Sequence, residues 1–146
     1  MNDLIAKIEA ATEGSDELDL LIWKALHPEA VSVAGVWRHS SARFVSYHTE
    51  LSQERWAKTF PKSGQNESDF RRNQELPPYT TRPYDLTAAV TLMDDGWECG
   101  FFIENGKARA FVDLEPSDSP GWKSHESVCA TPALAMCAAA LKAKMG

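Results

Sequence analysis

Apolar residues recur at helical spacing at both ends of the chain and alternate with polar ones between, which divides it into helices and strands. Leu4, Ile5, Ile8 and Ala11 share one helical face, Asn2 or Asp3 can cap the free amides, and Gly14 ends the run, predicting a helix over 3–11. Ser15 then caps a second short helix. Its first turn carries Asp16 and Glu17, where the helix dipole favours acid, and Leu18, Leu21, Ile22, Ala25 and Leu26 form its stripe up to Pro28. Together the two make an N-terminal helical hairpin that must pack on something else.

In the middle of the chain Val31, Val33, Phe44, Val45 and Tyr47 are good strand formers, so 31–37 and 42–48 read as a hairpin turned at His39-Ser40-Ser41. Residues 61–78 have only two strong apolar side chains, Phe70 and Leu76, and read as a long polar loop, the best candidate for mobility.

The pattern sharpens after Pro83. Leu86, Ala89, Val90 and Met93 predict a helix from Pro83 to about Met93, closed by Asp94-Asp95-Gly96. Strands over 97–104 and 107–114 follow, joined by Asn105-Gly106, the pair that a two-residue type I′ turn favours. That turn sets Ile103 against Ala108, Phe101 against Ala110, Cys99 against Val112 and Trp97 against Leu114, an entirely apolar face. On the other face Glu104 meets Lys107 as an ion pair, Phe102 meets Arg109 as a cation–π contact, Phe111 covers Gly100, and Glu98 faces Asp113. A third strand is expected near 125–130, after the turn-rich EPSDSPGW segment. Thr131 as N-cap and Pro132 at the first helical position then open a last helix with a small face of Ala135, Ala138, Ala139 and Ala140. The expected fold class is therefore α+β in a single domain over 1–146: a C-terminal unit of helix, three-stranded antiparallel sheet and helix, packed with the N-terminal helical hairpin, and a variable middle at about 31–78.

Composition narrows the function. With 146 residues, 43% hydrophobic and 25% charged, the chain can bury a core without disulfides or a structural metal. The net charge of −6 is uneven: six acids face two bases in residues 1–26, six face seven in 27–78, and nine face six in 79–146. An acidic body argues against nucleic-acid binding, which needs a basic face. The longest apolar stretch, 133–141, is too short to cross a bilayer, and acid stands near the N-terminus where a signal peptide needs base; the expectation is a cytoplasmic protein without membrane contact. Cys99, Cys129 and Cys137 are odd in number, sit in apolar segments and read as reduced, buried thiols with no obligatory disulfide.

The segment YTTRPYDLTAAVTLMDDGW (79–97), the strands after it and ATPALAMCAAALKAK (130–144) resemble a family of small uncharacterised bacteriophage and prophage proteins described as a phage αβα sandwich domain; LIAKIEAATEGSDELD (4–19) is similar to that family's opening. The resemblance implies provenance in a bacterial host's cytoplasm and an α/β sandwich, and carries over no catalytic residue. The order helix, three strands, helix also looks like a double-stranded-RNA-binding domain, but Thr131, Pro132, Ala133 and Leu134 stand where such domains place phosphate-gripping lysines.

Candidate chemistry is sparse. Ser124-His125-Glu126 holds nucleophile, base and acid, but contiguous strand residues alternate faces and cannot converge. Cys129 precedes a helix N-terminus, where a thiolate would be stabilised, yet no second histidine can be placed beside it and a buried thiol is the simpler reading. His27, His39, His48 and His125 lack paired metal-ligand spacing, and Glu98, Asp113, Asp94 and Asp95 read as a solvated acidic face; no metal or cofactor is expected. Binding-type side chains concentrate in the middle: Trp37, Arg38, His39, Arg43, Tyr47, His48, Arg71 and Arg72. The leading expectation is a non-catalytic, phage-derived accessory protein that binds a host or phage protein, as in inhibition of host defence. The alternatives are a small-molecule or nucleotide-sequestering protein using the arginines, a double-stranded-RNA-binding-like module, or a minor cysteine enzyme using Cys129. Unpaired sheet edges and Trp122 in a loop are features from which a homodimer could be built.

Overall fold

A computed structural model describes residues 1–63, 71–115 and 121–146. The fold is α+β, with N-terminal helices, two three-stranded antiparallel sheets and a C-terminal helix packed on a sheet. Its contacts fall into two compact units, residues 1–19 with 78–146, and residues 20–77.

The first unit is built around α5 (Pro132–Met145). The Thr131 hydroxyl accepts from the Leu134 amide at 3.3 Å, Pro132 starts the helix, and every residue from Ala133 to Leu141 is buried. A helix apolar on all sides must be covered on all sides. Here the sheet β4 (Glu98–Glu104), β5 (Lys107–Leu114) and β6 (Lys123–Cys129), in that order, lies on one flank, with α1 (Asn2–Ala10) and α4 (Thr87–Val90) against others. Small side chains let these elements come close: Ala108 and Ala110 of β5 are fully buried opposite the alanines of α5.

Asn105 and Gly106 take φ of 53° and 76°, the type I′ turn, and the ladder runs from Glu104↔Lys107 to Glu98↔Asp113 in the expected register without a break. Three details differ. The ladder stops before Trp97, whose ring lies under the Lys144 ammonium at 5.7 Å. Arg109 directs its guanidinium to Glu104 at 3.3 Å and Glu126 at 3.1 Å, replacing the expected Glu104–Lys107 ion pair and the Phe102–Arg109 contact. A bidentate cation between two carboxylates outcompetes a ring face in water. The inner face is apolar throughout but unevenly covered: Ala108, Ala110 and Val112 are buried, while Cys99, Phe101 and Ile103 on the edge strand remain exposed.

The helix expected over 83–93 is a single turn. The Pro83 carbonyl accepts from the Ala133 amide at 3.0 Å and the Asp85 carboxylate caps the Thr87 amide at 3.1 Å, so the segment before Thr87 is held by tertiary and capping bonds in place of a helical ladder. Upstream, the Asp19 carboxylate is fully buried and accepts from the Thr80 amide and hydroxyl, both at 2.7 Å, and from the Thr81 hydroxyl at 3.0 Å. Gly14 lies so tightly on the Thr80 carbonyl that a Cβ there would overlap it.

The second unit holds the sheet β1 (Ser32–His39), β2 (Ala42–His48) and β3 (Arg72–Glu75), in that order, and α3 (Glu50–Ser63). The hairpin turns at Ser40-Ser41 as expected, with a bulge between Val33 and Gly35, where Gly35 takes φ of 113°. The polar loop expected over 61–78 is partly regular: α3 runs into it and Arg72–Glu75 pairs with Tyr47–Phe44; residues 64–70, including Phe70, lie outside the described residues, as do 116–120. A four-residue strand of Arg, Asn, Gln and Glu has no apolar alternation to betray it. Helix α2 (Asp16–Leu26) contributes its later turns here. Its Trp23 stacks on His27 at 4.3 Å and meets Tyr47 edge-on at 5.0 Å, and with Val45 and Leu76 these form the unit's buried centre.

Candidate functional site

Strand alternation sorts the eight candidate residues onto different surfaces. Val36↔Val45, Trp37↔Phe44 and Arg38↔Arg43 are cross-strand partners on β1 and β2, and Ser46↔Asn73 and Tyr47↔Arg72 on β2 and β3. Arg38, Arg43, Tyr47 and Arg72 therefore share the face that carries Val45, and Trp37 and His39 share the opposite one.

On the Val45 face the side chains are mostly structural. Arg43 is buried, with Nη2 donating to the Leu76 carbonyl at 3.4 Å, and Tyr47 is buried against Trp23. Arg38 and Arg72 are exposed, and Arg71 precedes β3, half-buried. His48, at the end of β2 and by alternation on the opposite face, is also buried, its Nδ1 3.0 Å from the Ser52 hydroxyl.

That Ser–His contact belongs to a helix cap. The Ser52 amide donates to the Thr49 hydroxyl at 3.3 Å and the Thr49 amide to the Ser52 hydroxyl at 2.9 Å, while Ser52 donates to the Thr49 carbonyl at 3.0 Å. These are the reciprocal bonds of a capping box, and they engage the hydroxyl as a structural group. Thr49-x-x-Ser52 is also the sequence signal that could have announced α3.

The Trp37 face is different. The Trp37 and Phe44 rings stack with centroids 4.8 Å apart and planes inclined by 24°. Trp37 Nε1 donates to Ser46 Oγ at 2.7 Å, and the Ser46 hydroxyl donates in turn to Asn73 Oδ1 at 2.5 Å. One stack and a two-bond relay across three strands fix the indole, yet 42% of the residue is exposed. Gly35, opposite Ser46, leaves open space where a Cβ would stand. A large amphipathic ring held in place loses little entropy on being covered, the property that makes Trp a frequent interface anchor.

The cysteine reading fares poorly by geometry. Cys129 is 2% exposed, and burial pushes its thiol pKa up, with a smaller opposing effect from the Ser127 hydroxyl 3.6 Å away. Ser127 donates to Glu9 Oε2 at 2.9 Å, and that carboxylate also holds the Lys142 ammonium at 3.1 Å. Cys137, donating to the Tyr79 carbonyl at 3.3 Å, is likewise buried with its thiol pKa raised by desolvation.

His125 and Glu126 pair with Val112 and Phe111 and so lie on opposite faces of β6. Two surface clefts, about 450 Å³ beside Pro28, Val31 and Leu51 and about 470 Å³ beside Ile5, His125 and Lys142, include none of the eight residues. Among the described residues no group of three or more His, Cys, Asp or Glu side chains is placed to hold a metal, and no helix is long and apolar enough to cross a membrane. The chain matches no protein-family model, no curated protein and no solved structure.

Proposed function

We propose that this is a non-catalytic accessory protein of phage origin that acts in the bacterial cytoplasm by binding a host or phage protein, with the Trp37 face of the β1–β3 sheet as its contact surface. The observation that carries the reading is the indole of Trp37, locked by Phe44, Ser46 and Asn73 while 42% exposed. Such an anchor offers apolar area and a fixed orientation before any partner arrives. Burial of Cys129 and Cys137 with raised thiol pKa values supports a role without nucleophilic catalysis. Interference with a host defence system is the activity that the phage resemblance suggests for such a binder.

The test is capture from bacterial lysate on immobilised protein, run in parallel with Trp37→Ala and with Lys123→Ala, an exposed residue of β6 on the other sheet. A stoichiometric protein held by the wild type and by Lys123→Ala but lost from Trp37→Ala supports the proposal. Capture that ignores Trp37→Ala removes this face from it. A nucleotide released on heating, with no protein captured, would instead favour sequestration through Arg38, Arg43, Arg71 or Arg72, and that nucleotide should then raise the melting temperature.

A further inference from the structure

The two sheets present four lateral edges, and three carry features that discourage pairing. β1 is broken by the Gly35 bulge, β3 is four polar residues long, and β6 carries Lys123, His125 and Glu126. Charges, bulges and brevity are the usual protections of an exposed edge. β4 is protected least: its charges, Glu98 and Glu104, stand only at its two ends, its centre is Cys99-Gly100-Phe101-Phe102-Ile103, its seven pairs with β5 run without a bulge, and its other side carries no strand among the described residues. Phe101, Phe102 and Ile103 are 41%, 47% and 57% exposed.

The turn determines which backbone groups are available. In a two-residue hairpin the residues flanking the loop, here Glu104 and Lys107, form a hydrogen-bonded pair. Glu104, Phe102, Gly100 and Glu98 therefore bond to β5, and the N–H and C=O groups of Ile103, Phe101 and Cys99 point away from it.

We propose that β4 pairs antiparallel with β4 of a second copy, joining the two β4–β6 sheets into one six-stranded sheet. Charge selects both the occupant and the register. A two-fold axis at Phe101 would set Glu98 directly opposite Glu104 twice over, which is repulsive. An axis at Phe102 sets Phe102 against Phe102, Phe101 against Ile103 and Glu104 against Gly100. It also brings Glu98 to the second copy's turn, beside Lys107, which is exposed and makes no ion pair among the described residues. Glu98 and Lys107 lie on the same face, so each copy offers the charge that the other lacks, and symmetry makes the match twice. Phe101 and Ile103, which α5 leaves exposed within each copy, are covered by each other across the axis. Half of three side chains and one strand edge fall short of the roughly 800 Å² per partner of a standard interface, so the dimer exchanges with monomer as concentration changes.

Sedimentation equilibrium over about a hundredfold range of concentration tests this. The wild type should move from 16.2 kDa toward twice that mass. Ile103→Lys, at a side chain already exposed and so harmless to the fold, should stay monomeric. Lys107→Glu should weaken the dimer roughly tenfold, and Glu98→Lys combined with Lys107→Glu should restore it. A wild type monomeric throughout, or a dimer indifferent to Ile103→Lys, overturns the proposal. If the charge exchange fails to restore what Lys107→Glu loses, the Phe102 register is wrong. A foreign strand captured on β4 by a monomeric protein would give the edge to another partner. None of these variants touches Trp37, so failure here leaves the proposed binding face standing, and the reverse also holds.

Discussion

The β4–β6 sheet is closed on one face by α5, a helix buried along almost its whole length, whereas the β1–β3 sheet rests on a few large side chains and keeps an organised aromatic pair on the outside. The first is made tight by small residues: Ala108, Ala110 and the alanines of α5 allow backbone to approach backbone. The second gains its order from rings, Trp23 on Tyr47 inside and Trp37 on Phe44 outside. Tight backbone packing tolerates little change and offers little surface. A ring-built sheet with a bulged edge can present a fixed side chain to a partner, and the binding-type residues gather there.

If this contrast is right, the sharpest break comes from adding one carbon to the first unit. A Cβ at Gly14 would overlap the Thr80 carbonyl, itself held in place by the bonds from Thr80 and Thr81 to buried Asp19. Neither backbone can move without losing that network. Gly14→Ala should cost about 4 kcal/mol in urea unfolding, or leave the protein insoluble, with Gly100→Ala as the milder comparison because the clash there is with the end of the Phe111 ring at 2.6 Å. A Gly14→Ala variant unfolding at the wild-type midpoint would mean that the packing of this unit is looser than described.

The same unit should respond to alkali. Burial, followed by the nearby Cys137 and Asp19, raises the Tyr79 phenol from 10.0 to about 12. The protonated form is favoured in the folded state, so its contribution is intact below pH 10 and is lost as pH rises through about 12. Tyr79→Phe should therefore flatten the fall in stability between those values, by about 2 kcal/mol at the upper end. Identical slopes would show that Tyr79 ionises freely. Thiol reactivity gives a companion readout: a thiol reagent should modify Cys99 rapidly, and Cys129 and Cys137 only on unfolding.

How much of this was legible differs between the regions for physical reasons. Asn105-Gly106 dictates register because a two-residue turn admits one pairing, and Thr131-Pro132 marks α5 because capping is local. What lies over β4 is not local: the face was readable as apolar, but α5 covers β5 and β6 more fully and leaves Phe101 and Ile103 exposed. The helix expected after Pro83 failed because Ala133 and Asp85 take up backbone groups that a helical ladder would use. In the middle, β3 lacks an apolar period and α3 is polar over most of its length, and the eight candidate residues were found as a composition whose division between two faces needed the bulge and the pairing of β3. The companions that fix Trp37, namely Phe44, Ser46 and Asn73, are ordinary residues that only pairing brings together.

Smaller effects sharpen the contrast from the other side. Gly35 takes φ of 113° with open space beside it, so Gly35→Ala should cost only about 1 kcal/mol, all of it backbone strain. A much larger loss would mean that the bulge is packed after all.

The smallest stability effect should accompany the largest functional one. Trp37→Ala removes a stack with Phe44 and a hydrogen bond to Ser46, but the indole is partly in water already and Ser46 keeps Asn73. Those losses sum to about 1 kcal/mol of stability, seen as a shift in urea midpoint at unchanged slope. Trp37→Phe should recover part of the stack and none of the relay, leaving a ring free to turn. If Trp37 serves as a fixed anchor, Trp37→Phe should bind the captured protein more weakly than the wild type though it is nearly as stable. Equal binding would show that apolar area alone suffices and that the Ser46–Asn73 relay has no part in recognition. A stability loss several times larger would place Trp37 with the structural residues, and the difference between the two sheets would then be one of packing style alone.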